Sequence, residues 1–308
     1  MTVRTTVLVV TWRGRAHVGR CLDALAGQSR PLRTVVVDNA SADGTAELLA
    51  GHPSRPDVLR MPANLGYAGG LAAALPDVHT EFVAWLNDDA APEPGWLAAL
   101  ENALDADPAA AAVGSALLPP EGGPPALGVR LTALGYGADT SEEAEVFGFC
   151  GGAALLRRQA LLAVGGVPAG FFCYYEDTDT AWRLRLAGWT VRPEPAARAA
   201  HVLGASTRPG SPSFHLWNER NRLLMLLRCA PAAVAGRELA RFAAITLLLP
   251  VRRLARRPVP AAANFRVGLR LRVLGAVAVR LPRALRDRGR IGRRATVPRN
   301  EIWHTFAR

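Results

Sequence analysis

The feature that most restricts the fold is the alternation of β-branched runs with helical spacing over residues 5–89. Thr5–Thr11 reads TTVLVVT, the run expected of a strand buried on both faces. A helix-like segment follows at residues 16–27, with Val18, Cys21, Leu22 and Leu25 at helical spacing. Residues 33–37 form a second buried strand, 45–50 a helix, 58–61 a short strand, and 82–86 (FVAWL) a further strand. This βαβαβ order predicts an α/β fold: a mostly parallel sheet with helices on both faces. Ligands of such sheets bind beyond the carboxyl ends of the strands. Three polar clusters fall at those ends, at residues 11–13, 38–41 and 87–89.

Residues 171–189 (FFCYYEDTDTAWRLRLAGW) carry the densest chemistry. Glu176, Asp177 and Asp179 follow directly on the aromatic and apolar run 171–175. Ala181, Trp182, Leu184, Leu186 and Ala187 then supply apolar positions and Gly188 a stop, so a helix is predicted to begin at the acids. Acids suit a first helical turn because the macrodipole is positive there. The same placement keeps a carboxylate ionised between aromatic walls, where it can serve as a general base. This stretch alone admits both readings.

Asn87, Asp88 and Asp89 offer hard oxygen ligands of the kind that hold Mg²⁺ or Mn²⁺ while substrate phosphates complete the shell. Such residues also begin turns; their position between FVAWL and PEPGW favours the metal reading. Residues 64–70 (NLGYAGG) precede a helix. Their glycines permit close approach and expose N–H groups to an anion, and they equally make an ordinary strand-to-helix turn. No G-x-G-x-x-G follows the first strand and no G-x-x-x-x-G-K-[ST] occurs, which argues against a dinucleotide fold and a P-loop NTPase. Residues 119–136, rich in Pro and Gly, read as a loop. Residues 149–156 (FCGGAALL) read as an apolar strand interrupted by Gly151 and Gly152, and 189–191 as a short strand. His201 lies in an Ala-rich segment ahead of Gly204, Ala205 and Ser206; a lone histidine is more often structural than a ligand.

The charge is unevenly placed. Of a net +11, residues 215–308 hold 21 arginines against 4 acids, and the first 214 residues hold 16 against 22. Residues 214–227, 239–249 and 265–285 read as helices, with RRLARR at 252–257. Basic amphipathic helices lie on membrane surfaces, where each basic residue near an anionic leaflet contributes about 1 kcal/mol. No helix-turn-helix, zinc-finger or RNA-binding signature occurs, and no nucleic-acid partner is expected. The longest apolar run, 242–251, is ten residues and contains Pro250, too short to span a bilayer. Cys21, Cys150, Cys173 and Cys229 show no paired short spacing, so reduced thiols are expected. With no signal-peptide pattern at the N-terminus, a cytoplasmic location at the inner face of the membrane is expected.

In order along the chain, VLVVTW, VVVDNASADGT, NLGYAGG, AWLNDDA, GFCGGAALLRR, FFCYYEDTDTAWRLRLAGW, a downstream His and ERNRLLMLL cover residues 5–228. Together they resemble the bacterial family-2 glycosyltransferases of the GT-A fold, particularly rhamnosyltransferase-like members of cell-wall and surface-polysaccharide pathways. The resemblance implies a catalytic domain at 1–214, with a nucleotide-sugar half at 1–115 and an acceptor half at 116–214, followed by a membrane-associating helical extension at 215–308. Thr11, Asp38 and Asn39 would line the base and ribose pocket, and Asn64, Gly66 and Gly69 would lie near the nucleotide and its pyrophosphate. Asp89, with Asp88 beside it, would match the metal-binding end of a DxD-type motif, and His201 a further metal ligand. Asn87 stands where the strict motif has Asp, which weakens the carboxylate shell. Asp177 matches the catalytic base, with Glu176 and Asp179 supporting it, pairing with Arg183 or orienting the acceptor.

The activity so implied is inverting, metal-dependent transfer of a sugar from a nucleotide donor to a hydroxyl of a polyprenyl-linked or polysaccharide acceptor. dTDP-rhamnose is the first donor suggested, with UDP- and GDP-sugars open. A sugar nucleotidyltransferase is the rival in chemistry, but it would open with a Gly-rich basic loop and would leave the EDTD helix without a role. A non-catalytic scaffold binding nucleotide sugar or membrane is the rival of a different class.

Overall fold

In the computed structural model, which describes residues 2–202 and 208–308, β1 (Thr5–Thr11) is buried along its whole length. Successive side chains enter different cores: Val7 and Val9 pack with Val36, and Leu8 and Val10 with Val35 and Val37. Burial on both faces is why the run is apolar throughout and does not alternate. β1 pairs in parallel with β2 (Leu32–Asp38) and, on its other side, with β4 (Phe82–Asn87); β3 (Asp57–Arg60) adds to β2. The register sets Thr11 opposite Asp38 and Val10 opposite Asn87, so the polar clusters emerge side by side at one edge. Helices α1 (Val18–Ala26), α2 (Thr45–Gly51) and α4 (Trp96–Ala106) cover one face. α3 (Gly66–Ala74) covers the other.

Beyond β4 the sheet becomes mixed. β9 (Ala153–Arg157) lies between β4 and β6 (Ala110–Leu118), antiparallel to both. β10 (Thr190–His201) runs parallel to β6, and β5 (Ala90–Pro92) pairs antiparallel with its end. The eight strands follow the order β3-β2-β1-β4-β9-β6-β10-β5. The expected α/β class holds, with α5 (Arg158–Ala163) and α6 (Glu176–Leu186) completing this part of the chain.

Three local expectations change. The short strand at 189–191 is the start of β10, which continues to His201. Pro193 and Pro195 hide it in the sequence because proline lacks a ladder donor, and a register shift between Glu194 and Arg198 absorbs the irregularity. The Pro/Gly-rich stretch 119–136 is not all loop: β7 (Gly128–Leu131) pairs with β8 (Gly137–Thr140) as a separate antiparallel ribbon. The strand expected at 149–156 begins only at Ala153, because residues 150–152 form a turn. The expected segment at 204–206 lies outside the described residues.

The C-terminal helices are α7 (Pro212–Cys229), α8 (Ala232–Leu254), α9 (Val267–Arg294) and α10 (Arg299–Phe306). Ser211 caps α7, its Oγ accepting the Phe214 N–H at 3.2 Å. Leu223, Leu226, Val273 and Val277 join the same apolar core as the α3 face of the sheet. Several basic residues work inside this packing. Arg288 donates to the Leu227 and Ala230 carbonyls and Arg299 to those of Arg228 and Cys229, closing the C-terminus of α7. α10 returns to the sheet side, where Trp303 stacks on Trp182 at 6.0 Å between ring centroids.

Candidate functional site

A cavity of about 440 Å³ opens at the carboxyl edge of β1, β2 and β4. Asn39, Asn64, Gly66, Asp88, Asp89, Glu176, Asp177 and His201 all line it. Thr11, Asp38 and Gly69 stand behind that lining. Thr11 Oγ1 donates to Asp88 Oδ2 at 2.6 Å. Fully buried Asp38 accepts the Ser41 N–H at 2.9 Å and pairs with Arg60. A larger open hollow, about 870 Å³, lies near the opposite ends of β1 and β2 beside Thr6, Arg33 and Thr80, and takes none of these residues.

At the end of β4, β-pairing assembles the acidic cluster. The β10–β5 register sets His201 opposite Ala90, next to Asp89. His201 Nε2 consequently lies 3.0 Å from Asp89 Oδ1 and 3.1 Å from Asn87 Nδ2. Burial opposes ionisation of Asp89, but the hydrogen bond and charge of His201 outweigh it and hold the carboxyl below its usual range. For Asp88 burial prevails over the Thr11 hydrogen bond, and the carboxyl is pushed up to about 6. His201 Nδ1 is buried without a hydrogen-bond partner. No group of three or more His, Cys, Asp or Glu side chains converges as a metal shell among the described residues. Asp89 and His201 form a two-donor set, one carboxylate oxygen and one imidazole nitrogen, which fits a divalent cation whose remaining ligands come from elsewhere.

Across the cavity stands the start of α6. Asp177 Oδ2 accepts the Gly151 N–H at 2.9 Å, and its Oδ1 accepts the Thr178 hydroxyl at 2.9 Å. Burial raises the Asp177 carboxyl above its ordinary range although these bonds work the other way. Glu176, buried and next to Asp177, is raised well above its ordinary range, and its Oε2 has no hydrogen-bond partner. The turn at 150–152 ties the two clusters together, because Gly152 O accepts the Asn87 N–H at 3.0 Å while Gly151 N–H holds Asp177.

Three N–H groups of the 64–70 loop are taken up within the protein. The Leu65, Gly66 and Ala68 N–H groups go to Asn39 Oδ1, Asn64 Oδ1 and the Phe172 carbonyl at 3.3, 2.8 and 3.0 Å. Gly66 has φ +72°, and a Cβ there would strike the Phe172 carbonyl. Glycine is needed for this approach of the loop to the 171–175 segment. That segment is strained: Phe172, Tyr174 and Tyr175 have φ of 67°, 71° and 69°. Asn221 Nδ2 holds it by donating to the Cys173 and Tyr174 carbonyls, each at 2.8 Å.

Sequence reasoning missed four wall residues. Tyr67, whose hydroxyl donates to Gly151 O, sat unremarked inside the NLGYAGG motif. Asp139 comes from β8, in a region without a recognisable pattern, and burial raises its carboxyl. Trp12 follows β1, and Trp217 reaches the cavity from α7, its ring 4.8 Å from that of Phe172. An indole within a helix otherwise reading as basic and amphipathic was the available signal for Trp217.

The model of the family "Glycosyl transferase family 2" matches residues 6–165. N-acetylglucosaminyl-diphospho-decaprenol L-rhamnosyltransferase of Mycobacterium tuberculosis is 30% identical over 252 residues, covering 70% of this chain and 81% of the relative. Pre-mycofactocin glycosyltransferase of the same organism is 32% identical over 205 residues, covering 64% of this chain and 42% of the relative. The fold is similar to that of the mannosyltransferase PcManGT from Pyrobaculum calidifontis, solved with GDP-Man and Mn²⁺: TM-score 0.56, 21% identity, 91% of this chain and 87% of that one. Family match, relatives and architecture agree, and the chain belongs to glycosyl transferase family 2.

Proposed function

We propose that the chain moves a sugar from a nucleotide-sugar donor to a hydroxyl of a lipid-linked saccharide, inverting the anomeric carbon, with Asp177 as the general base. The observation that carries this reading is the shared cavity: Asp177 on one wall, Asp89 and His201 on the other, the turn 150–152 between them. Asp177 takes the proton of the acceptor hydroxyl as that oxygen attacks opposite the departing diphosphate. The Gly151 N–H and Thr178 hydroxyl fix the carboxylate in orientation. Glu176, whose carboxyl burial raises and whose Oε2 has no partner within the protein, faces the sugar, and the rings of Trp12, Phe172, Tyr174 and Trp217 limit access of water.

Asp89 and His201 would hold the cation, Mn²⁺ or Mg²⁺, with diphosphate oxygens filling the remaining positions. Bound there, it supplies neutralisation of the charge that develops on the leaving diphosphate. Asn39, Asn64 and Gly66 would contact the nucleotide, with Thr11, Asp38 and Gly69 shaping the pocket from behind and Asp88 held against Thr11. The donor suggested first is dTDP-rhamnose, because the M. tuberculosis relative is named an L-rhamnosyltransferase; its named acceptor is an N-acetylglucosaminyl-diphospho-decaprenol.

Residues 1–214 serve as the catalytic domain and 215–308 as its membrane-facing extension on the cytoplasmic side. No helix among the described residues is long and apolar enough to cross a membrane. On α8, however, Leu247, Leu248, Val251 and Leu254 form one exposed stripe, Leu254 at 88% and Leu247 at 72% exposure. Arg252, Arg253, Arg256 and Arg257 adjoin it, a combination that suits an anionic bilayer surface. The deciding experiment incubates the protein with labelled dTDP-rhamnose, UDP- and GDP-sugars and a GlcNAc-diphosphate-lipid acceptor, with and without Mn²⁺. Metal-dependent label in the lipid fraction supports the reading. Donor binding without transfer to any acceptor favours a scaffold, and, in a parallel incubation with nucleoside triphosphates and sugar 1-phosphates, release of diphosphate with a new nucleotide sugar favours a nucleotidyltransferase.

A further inference from the structure

Behind the 171–175 segment lies a second cavity, about 240 Å³, between α9, α7 and residues 165–171. Arg280, Arg283, Asp287 and Arg290 are spaced along one face of α9, and Arg228 faces them from α7. Four guanidiniums therefore surround the space; Arg290 lies 3.7 Å from Asp287 and Arg228 has Asp179, which leaves Arg280 and Arg283 without a carboxylate among the described residues. Arg228 is engaged with Asp179 at 2.9 Å and lies 3.6 Å from Asp287, yet its buried Nε has no hydrogen-bond partner. Arg280 donates only to the Ala276 carbonyl of its own helix, and Arg283 makes no ion pair among the described residues.

A neighbouring group strengthens the imbalance. Arg220 is buried, and its guanidinium reaches only the Asn221 side chain and the Phe171 carbonyl. It has no carboxylate partner among the described residues, and burial with the nearby charge of Arg280 lowers its pKa to about 10. Buried cations without counter-charge are costly, and a bound anion removes that cost. Other buried arginines of the chain are explained by structure: Arg185 is taken up by three carbonyls and the Phe306 ring, and Arg222 by Glu219. Arg220, Arg280 and Arg283 have no such carboxylate or ring partner among the described residues.

We propose that this pocket binds a phosphate or diphosphate group. Guanidiniums are the preferred partners of phosphate oxygens because their paired N–H groups match that geometry. The position identifies the source. Ala169, Gly170 and Phe171 line the arginine pocket, while Phe172, Cys173 and Tyr174 line the cavity that contains Asp177. An acceptor whose sugar is joined to a lipid through diphosphate would place its hydroxyl at Asp177 and its diphosphate among these arginines. This assignment to the acceptor rests on the proposed transferase function; the anion site does not.

The test titrates inorganic pyrophosphate into the full-length protein in EDTA, which removes any cation-dependent binding at Asp89 and His201, and compares Arg280→Gln/Arg283→Gln. These side chains are exposed or half-buried, so the variant is expected to melt with the parent; Arg283→Glu provides an independent charge reversal. Both variants should weaken pyrophosphate binding by about tenfold or more. Equal affinity in parent and variants, or no binding by the parent, overturns the proposal. A second arm separates the sources. A raised KM for a diphosphate-linked acceptor, with donor KM unmoved, identifies the acceptor diphosphate. Loss confined to binding of phosphatidylglycerol vesicles identifies a lipid headgroup.

Discussion

His201 Nε2 and Asp89 Oδ1 lie 3.0 Å apart, although one ends β10 and the other follows β4. The pairing of His201 with Ala90 brings them together. If these two side chains hold the cation, Asp89→Asn and His201→Ala should each raise the Mn²⁺ concentration for half-maximal transfer by about tenfold or more. The measurement is initial rate against Mn²⁺ after chelation. Unchanged metal curves in both variants would remove these residues from the metal site.

Asp177→Asn should lower transfer by about 10²- to 10⁴-fold while donor affinity stays within about twofold. Rates with labelled donor and calorimetric titration of the donor check the two halves separately. Transfer near the parent rate would take the role of base away from Asp177.

The pH dependence follows from the direction of the Asp177 shift. Burial lifts its carboxyl above the ordinary value of about 4, so the base protonates and kcat/KM falls as pH drops through that raised value. For stability the sign is the reverse. The folded state binds this proton more tightly than the unfolded chain, so the group's contribution is lost as pH rises from the unfolded to the folded pKa. At neutral pH, Asp177→Asn should therefore melt at or above the parent temperature. An acid limb at or below about pH 4, or a clearly lowered melting temperature, contradicts this.

Gly66→Ala tests the contact between the 64–70 loop and the segment before α6. The new methyl meets the Phe172 carbonyl at a positive φ, so stability should fall by about 1–3 kcal/mol and donor affinity should fall with it. Urea unfolding and donor titration report the two effects. A variant as stable as the parent would show that the contact is not required.

Replacing Leu247, Val251 and Leu254 together by Glu should abolish sedimentation with phosphatidylglycerol vesicles and leave the melting temperature within a few degrees, since all three are exposed. Parent binding should weaken with salt because the adjoining arginines contribute through screened charge. Vesicle binding by the triple variant equal to the parent would locate the membrane contact elsewhere.

The parallel half of the sheet was legible because a strand buried on both faces must be apolar at every position, as Thr5–Thr11 is. The acidic helix start was legible too, since Glu176, Asp177 and Asp179 are local in sequence and α6 begins at Glu176. β10 was only partly legible: Pro193 and Pro195 break the pattern, and the strand persists because β6 and β5 flank it. α10 was not legible at all: its short run is held by distant partners, among them Trp182 beneath Trp303, Phe147 against Phe306 and the α7 carbonyls that receive Arg299.

The sequence by itself determined the βαβ alternation, the positions of both acidic clusters and the basic character of the C-terminal third, because each is set by neighbours along the chain. Only the tertiary structure decided that Asp177 and Asp89 share one cavity, that Gly66 serves the approach of Phe172, that Trp217 completes the wall, and that four arginines enclose a pocket behind it. The reason is physical. Periodicity records which face of an element is buried, whereas long-range pairing and side-chain convergence depend on strand register and helix docking, which no single stretch encodes.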